Sequence, residues 1–322
     1  MPMVSVIIPL YNGAAYIERS IHSVLNQTFQ EFEIVVVDDG STDDGPQRVT
    51  AFHLPHIRLI RQANGGVSAA RNTGIREARY GLIAFLDADD EWMPDHLDTI
   101  IRLYHTFPRC GVFGTSYYFL RKGEKPRLPI IPEKFHFTGE DGILDNYYEL
   151  ASGTDFPIQT SAYAVRKEII QSIGGFPVGI PSGEDILTLA RLQAVCEFAY
   201  CRKPTSIYYL TTGSNKSHRP ILKDDPLDNM FNEIYRKASQ KPGIRLFLSS
   251  WHKRRMSGAI LAHKYRLGIR EFWKAFCILP FQKKLYTSLL VTLFASITGM
   301  SLYEINKRLN QPGGKGTDQT IK

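Results

Sequence analysis

Four short apolar runs, each ending in polar or acidic residues, set the strongest limit on how this chain folds. Val4 to Pro9 (VSVIIP), Phe32 to Val37 (FEIVVV) and Leu82 to Leu86 (LIAFL) are nearly unbroken apolar runs, and Arg58 to Arg61 (RLIR) is shorter. Runs of this kind read as strands buried on both faces. Between them Ile17, Ile21, Val24 and Leu25 recur at helical spacing, and Ser68 opens a second helix expected to run through Arg79. This rhythm predicts right-handed βαβ units and an α/β fold, a mainly parallel sheet with helices on both faces. Ligands of such sheets sit beyond the carboxyl ends of the strands. Those ends carry Tyr11-Asn12, Asp38-Asp39 and Asp87-Ala88-Asp89-Asp90, so one crevice is expected to collect them.

Beyond Trp92 the pattern becomes mixed. Val112 to Leu120 and Leu128 to Ile131 flank the turn-like RKGEKP and predict a hairpin. Thr160 to Val165 reads as a strand, and Lys167 to Ile173 as a short helix stopped by Gly174-Gly175. Gly183-Glu184-Asp185 opens another helix, Ile186 to Val195. No internal repeat is present at solenoid periods.

With 322 residues, 43% hydrophobic and 22% charged, the chain has room for one large folded domain plus an appendage. Lys and Arg number 39 against 32 Asp and Glu, a formal charge of +7 that suits an anionic partner. No nucleic-acid motif accompanies the charge, so nucleic acid is not expected as a partner. The four cysteines, Cys110, Cys196, Cys201 and Cys277, lack CxxC or metal-ligand spacing and read as reduced structural thiols of a cytosolic protein. MPMVSVIIPLYN has no basic leader and its apolar run is cut by Pro9, so it reads as the first strand and not as a signal peptide.

VSVIIPLYN, VVVDDGSTD, NGGVSAARNTGI, FLDADD and a GED that opens a helix occur in this order over roughly the first two-thirds of the chain. Any one of these is weak alone. Together they resemble the family 2 glycosyltransferases of the GT-A fold. The resemblance implies an inverting transfer of sugar from a nucleoside-diphosphate donor, with Mg²⁺ or Mn²⁺ as cofactor. Charge develops on the leaving diphosphate, and a hard cation held by carboxylates would offset it. By similarity Asp89 is the metal ligand, Asp87 lies nearer the ribose and sugar, and Asp90 assists through water; Glu91 reads as surface. As a bare acidic turn, the same cluster would merely be solvated and cap the next helix.

The same resemblance assigns Pro9, Tyr11, Asp39, Gly66, Arg71 and Asp87 to the nucleotide sugar. Asp39 can accept the imide N–H of uracil, and is also compatible with a simple Asx turn at Gly40. Tyr11 can stack on the base or merely pack. Arg71 meets base or phosphate, or is a solvated helix arginine. The Gly65-Gly66 turn allows close backbone approach. Asp185 resembles the family's general base, with Glu184 holding the acceptor; a helix N-terminus also favours acids through its dipole. Processive members carry a Gln-x-x-Arg-Trp motif, but neither Trp251 nor Trp273 sits in that context, so one sugar per encounter is expected. A nucleotidyltransferase would need a Gly- and basic-rich triphosphate loop after the first strand, which LYNGAAY lacks. A non-catalytic nucleotide-sugar-binding or scaffold protein is the other alternative. The loop Thr211 to Arg219, with Lys216, His218 and Arg219, either closes over the diphosphate or is plain surface.

The organisation read from the sequence is a catalytic domain over 1–219, a helical basic and aromatic region over 220–310, and a disordered tail over 311–322. Leu285 to Tyr303 has no charged residue but is diluted by Ser and Thr, with basic flanks on both sides. An element lying on an anionic leaflet fits better than a spanning helix or a helical lid. The acceptor is then a saccharide or lipid-linked glycan, and the expected location is the cytoplasmic face of a membrane.

Overall fold

A computed structural model describes residues 3–131, 134–180, 183–210 and 227–299. The first compact unit reaches Ile244. In chain order it contains β1 (Val4–Leu10), α1 (Ile17–Leu25), β2 (Phe32–Asp38), α2 (Gly45–Thr50), β3 (Ile57–Arg61), α3 (Val67–Glu77), β4 (Leu82–Phe85) and β5 (Glu91–Trp92). It continues with α4 (His96–Thr106), β6 (Val112–Arg121), β7 (Asp141–Ile143), α5 (Tyr147–Leu150), β8 (Tyr163–Arg166) and α6 (Lys167–Ser172). Its last elements are α7 (Glu184–Val195), β9 (Phe198–Leu210) and α8 (Leu227–Ala238).

All strands join one sheet of order β3-β2-β1-β4-β8-β6-β9-β5, with β7 also on β9. The expected parallel βαβ half is β3-β2-β1-β4. β1, β2 and β4 are buried along their whole length, as apolar runs covered on both faces must be. Val4 aligns with Phe32 and with Leu82, so the ends Leu10, Asp38 and Phe85 finish at one edge. α3 lies on β1 with almost no gap. A Cβ on Gly74 would come within 2.4 Å of Ile7 Cγ2, so only glycine allows this approach.

The other half departs from the expectation of a mainly parallel sheet. β8 runs antiparallel to both β4 and β6, while β6 and β9 are parallel. The expected hairpin after Val112 reduces to a single bridge between Phe119 and Arg127. Pro126 and Pro129 remove donors from the return limb, and β6 instead takes β8 and β9 as neighbours. Thr160–Ala162 is a 3₁₀ turn, not strand, because Gln159 Oε1 accepts the Ser161 amide and starts a turn there. α3 ends at Glu77, short of Arg79. The compact units divide after Ile244, and α8 rests on α7 within the first unit. Cys110, Cys196, Cys201 and Cys277 are all unpaired thiols.

The second unit begins at Arg245 and takes in α9 (Ile244–Leu261), α10 (Tyr265–Ile278) and α11 (Lys283–Thr298). Met256, Ile260, Ala275 and Leu285 form its buried seam. Glu271 is fully buried there, accepting from Arg255 Nε at 3.0 Å and lying 2.7 Å from His252 Nδ1. Among the described residues, no helix is long and apolar enough to cross a membrane. The loop 211–219 and the tail 311–322 lie outside the described residues.

Candidate active site

The aligned strand ends open into a crevice of about 490 Å³, lined by Pro9, Tyr11, Asp39, Gly66, Arg71, Asp87 and Asp89, among others. Seven residues singled out from the sequence therefore share one cavity. Its floor is rigid for local reasons. The Asn12 amide donates to Ser41 Oγ at 3.0 Å and Asn12 Oδ1 accepts the Thr42 amide at 2.8 Å, tying the turn after β1 to the one after β2. Tyr11 thereby stands at the rim, 55% exposed. Asp39 is buried beneath the glycine turn, and its carboxylate accepts the Gly65 amide at 2.9 Å, the Gly66 amide at 2.8 Å and Gln62 Nε2 at 2.7 Å. Any contact of Asp39 with a base must share a carboxylate that already shapes this turn. Gly66 adopts φ 84° and ψ 165°, a region open essentially to glycine alone, as it caps α3.

The acidic loop after β4 is held from behind by residues the motifs did not indicate. Ser20 of α1 lies 2.7 Å from the carbonyl oxygens of both Ala88 and Asp90, and Arg19 donates to the Asp89 carbonyl. Ser161 accepts the Asp87 amide at 3.0 Å and donates its hydroxyl to Asp90 Oδ2 at 2.6 Å. One signal for Ser20 was available: it sits on the buried stripe of Ile17, Ile21 and Val24, where a serine needs a reason. Asp90 departs from its expected role of assisting through water. It is fully buried, also accepts the Tyr209 amide at 3.2 Å, and points into protein. Burial first, then the charges of Asp87 and Asp89, hold its carboxyl well above the usual range. Glu91 is not idle surface either, because it accepts the Tyr209 hydroxyl at 2.7 Å.

Arg71 is not a solvated helix arginine: it lines the crevice but is only 3% exposed. One guanidinium nitrogen meets Asp87 Oδ1 at 2.7 Å and the other Glu184 Oε1 at 3.1 Å, with the ring of Phe176 5.0 Å away. Burial lowers its proton affinity, but Asp87 and Glu184 more than reverse this, so the guanidinium stays charged. Glu184 is therefore occupied by Arg71, which bears on its expected hold on the acceptor. Gly183 takes a left-handed φ of 85° and starts α7 directly at Glu184 and Asp185. Asp185 Oδ1 accepts the Ile186 amide at 2.7 Å. Burial first, then the neighbouring Glu184, push its carboxyl up to about 6.

Hard oxygen donors at a crevice wall fit Mg²⁺ or Mn²⁺. Asp87, Glu184 and Asp185 act electrostatically on the buried Arg71, and Asp87 and Asp89 act on Asp90, a concentration of carboxylates that a divalent ion would balance. Among the described residues, Glu140, Asp141 and Cys201 also cluster, but Arg102 already ion-pairs with both carboxylates. A second cavity of about 470 Å³ shares Tyr16 with the first and is lined by Arg19, Arg121, Lys122 and Tyr209.

A parallel half-sheet delivering acids to its carboxyl edge, joined to a mixed half that brings in a helix-borne acid pair, defines a GT-A fold. The chain belongs to glycosyl transferase family 2, whose family model matches residues 5–167. An uncharacterized glycosyltransferase of Nostoc sp. is 45% identical over 178 residues, 54% of this chain and 53% of the relative. The chondroitin synthase of Escherichia coli is 43% identical over 101 residues, 30% of this chain and 15% of that enzyme. The matched stretches thus span about half or less of these relatives' lengths. Among solved structures, S. aureus TarS 1–349 in complex with UDP-GlcNAc superposes with a TM-score of 0.68 at 17% identity, covering 92% of both chains. The Pyrobaculum calidifontis mannosyltransferase with GDP-Man and Mn²⁺ gives a TM-score of 0.58 at 18% identity, covering 92% of this chain and 86% of that one.

Proposed function

We propose that this chain transfers a single sugar from a nucleoside-diphosphate sugar, of the UDP type, to an acceptor hydroxyl with inversion at the anomeric carbon. The observation that carries this reading is the Arg71 bridge, which joins Asp87 of the acidic loop to Glu184 beside Asp185. It brings the donor-side and base-side acids to one place at the edge of the crevice. Nucleotide-sugar complexes of the structural neighbours, one of them with Mn²⁺, support the donor class and the metal.

The base lies between Tyr11 and the turn organised by Asp39, and Gly66 lets the backbone come close to it. Asp89, with Asp87, would hold Mg²⁺ or Mn²⁺, which when bound offsets the charge that develops on the departing diphosphate. Asp185 takes the acceptor proton. With its carboxyl pushed up to about 6 it remains ionised near pH 7, yet binds a proton more tightly than an ordinary aspartate. Glu184, fixed by Arg71, orients this end of α7. One base and one displacement give inversion, and Ser20, Ser161 and Arg19 keep the acidic loop in place throughout.

The acceptor in this reading is a saccharide or lipid-linked glycan, and the basic, aromatic helices after Arg245 keep the enzyme at the cytoplasmic face of a membrane. A donor-hydrolysis and transfer assay on Asp89→Ala and Asp185→Asn tests the chemistry. Both variants should lose turnover while their unfolding stays cooperative; full activity in either overturns the assignment.

A further inference from the structure

Among the described residues of the second unit, one side of the helices is buried and another presents exposed apolar side chains. On α11, Leu285, Thr292 and Ala295 face the seam. Tyr286, Leu290, Phe294 and Ile297 fall at steps of one helical turn on another face, with Leu290 68% and Ile297 81% exposed. The stripe continues onto α10. The Tyr286 ring lies 6.1 Å from that of Phe272, which in turn lies 5.8 Å from exposed Trp273. Phe281, in the connection between α10 and α11, is 91% exposed. A patch with this many large apolar side chains needs an occupant.

The charges say what kind. Residues 245–299 hold ten Lys and Arg against one acid, Glu271. That acid is fully buried on His252 and Arg255, so it contributes nothing at the surface. Lys283 and Lys284 open α11 two residues after Phe281, directly beside the apolar stripe. The occupant must therefore offer apolar surface and negative charge together, along a helix of about 24 Å. A nucleic acid offers the charge without the apolar surface. A second copy would bring like charge against like. An anionic bilayer offers both, at the depths where aromatic and basic side chains partition.

We propose that the outer face of α10 and α11 docks on an anionic lipid leaflet, with Phe281, Trp273, Leu290 and Ile297 at the headgroup–acyl boundary and Lys283 and Lys284 on the phosphates. The face lies on the surface without spanning it. This deepens the reading of a membrane-associated transferase by assigning the docking surface and its ligand chemistry.

The test is co-sedimentation of the full chain with phosphatidylcholine vesicles, with and without phosphatidylglycerol, together with Trp fluorescence. Binding should require phosphatidylglycerol, weaken with salt, and shift the Trp emission to the blue. Lys283→Gln with Lys284→Gln should weaken it by about 30-fold. Leu290→Ser with Ile297→Ser should abolish it, while solution hydrolysis of the donor, which uses none of these residues, stays at wild-type rate. Vesicle binding that ignores these substitutions, or no binding to anionic vesicles, overturns the proposal. So does a concentration-dependent dimer lost in the Leu290→Ser, Ile297→Ser variant, which would assign the face to a second copy. Loss of donor hydrolysis in the wild type would instead count against the proposed chemistry and leave the vesicle result standing.

Discussion

Replacing Arg71 by methionine keeps a similar volume on α3 and removes the one charge shared by two motifs. In the native protein the guanidinium is 3% exposed, while Asp87 and Glu184 retain 22% and 13% of their side-chain surface. Breaking a buried ion pair costs about 3–5 kcal/mol, and the residual exposure of both acids favours the lower end, about 3 kcal/mol. For a unit of this size that corresponds to a fall of roughly 6–12 °C in Tm. Loss of the bridge also frees Asp87 and Glu184 to move apart, and a misplacement of about 1 Å at a reacting centre costs about a hundredfold in rate. The Arg71 charge holds the Asp185 carboxyl down, against burial and Glu184, which raise it. Its removal therefore moves the acid limb of the pH–rate profile to higher pH, and activity falls more at pH 6 than at pH 8. Arg71→Lys keeps a charge but cannot fork between two carboxylates, so it should be intermediate. Thermal unfolding and a pH series of kcat/KM are the assays. An Arg71→Met enzyme within about 0.5 kcal/mol of wild type, the scatter of ordinary surface changes, and with an unmoved acid limb, would refute this account.

Two other perturbations have signs fixed by the structure. Asp185 has a raised carboxyl, so the stability it contributes is fully present below 3.8 and is lost as pH rises through about 6. Asp185→Asn should therefore stabilise the first unit at pH 8 by about 1–2 kcal/mol, after allowing for partial exposure, and not at pH 3.5; equal Tm gains at both pH values would contradict this. Glu271 is the opposite case. Burial pushes it up, but hydrogen bonds from His252 and Arg255 outweigh this and bring it to about 2, from an ordinary 4.5. Its contribution, about 3 kcal/mol, is present above 4.5 and lost as pH falls towards 2, so the second unit should open in that window. Near-ultraviolet circular dichroism of Trp251 and Trp273 reports it, and Glu271→Gln should flatten the acid transition.

The parallel half of the sheet was legible because its information is local. VSVIIP and FEIVVV can only be strands buried on both faces, and the acids that follow them must then emerge at one edge. The mixed half was not, because its pairing is decided at long range: Tyr163–Arg166 finds β4 and β6, while the Pro126 and Pro129 segment cannot form the hairpin that its turn suggests. The same holds within the site. Asp39, Asp87, Asp89 and Arg71 lie together in the crevice, but Glu184, the second partner of Arg71, is 113 residues away, and no spacing announces it. The Asp90 carboxylate turns inward to Ser161, 71 residues on, which no local pattern shows. Tyr209 and Ser20, which hold the acidic loop, carry no motif at all.

The central claim is that the acids at the strand ends form a metal-dependent site for a nucleoside-diphosphate sugar. Thermal unfolding of wild type and Asp89→Asn, each with UDP or a UDP-sugar and with or without Mn²⁺, tests it most directly. With ligand at about a hundredfold over its Kd, wild type should gain about 2.7 kcal/mol, roughly 5–10 °C, only when Mn²⁺ is present. Asp89→Asn should gain nothing under the same conditions. Equal stabilisation of both proteins by nucleotide and Mn²⁺ would contradict the claim.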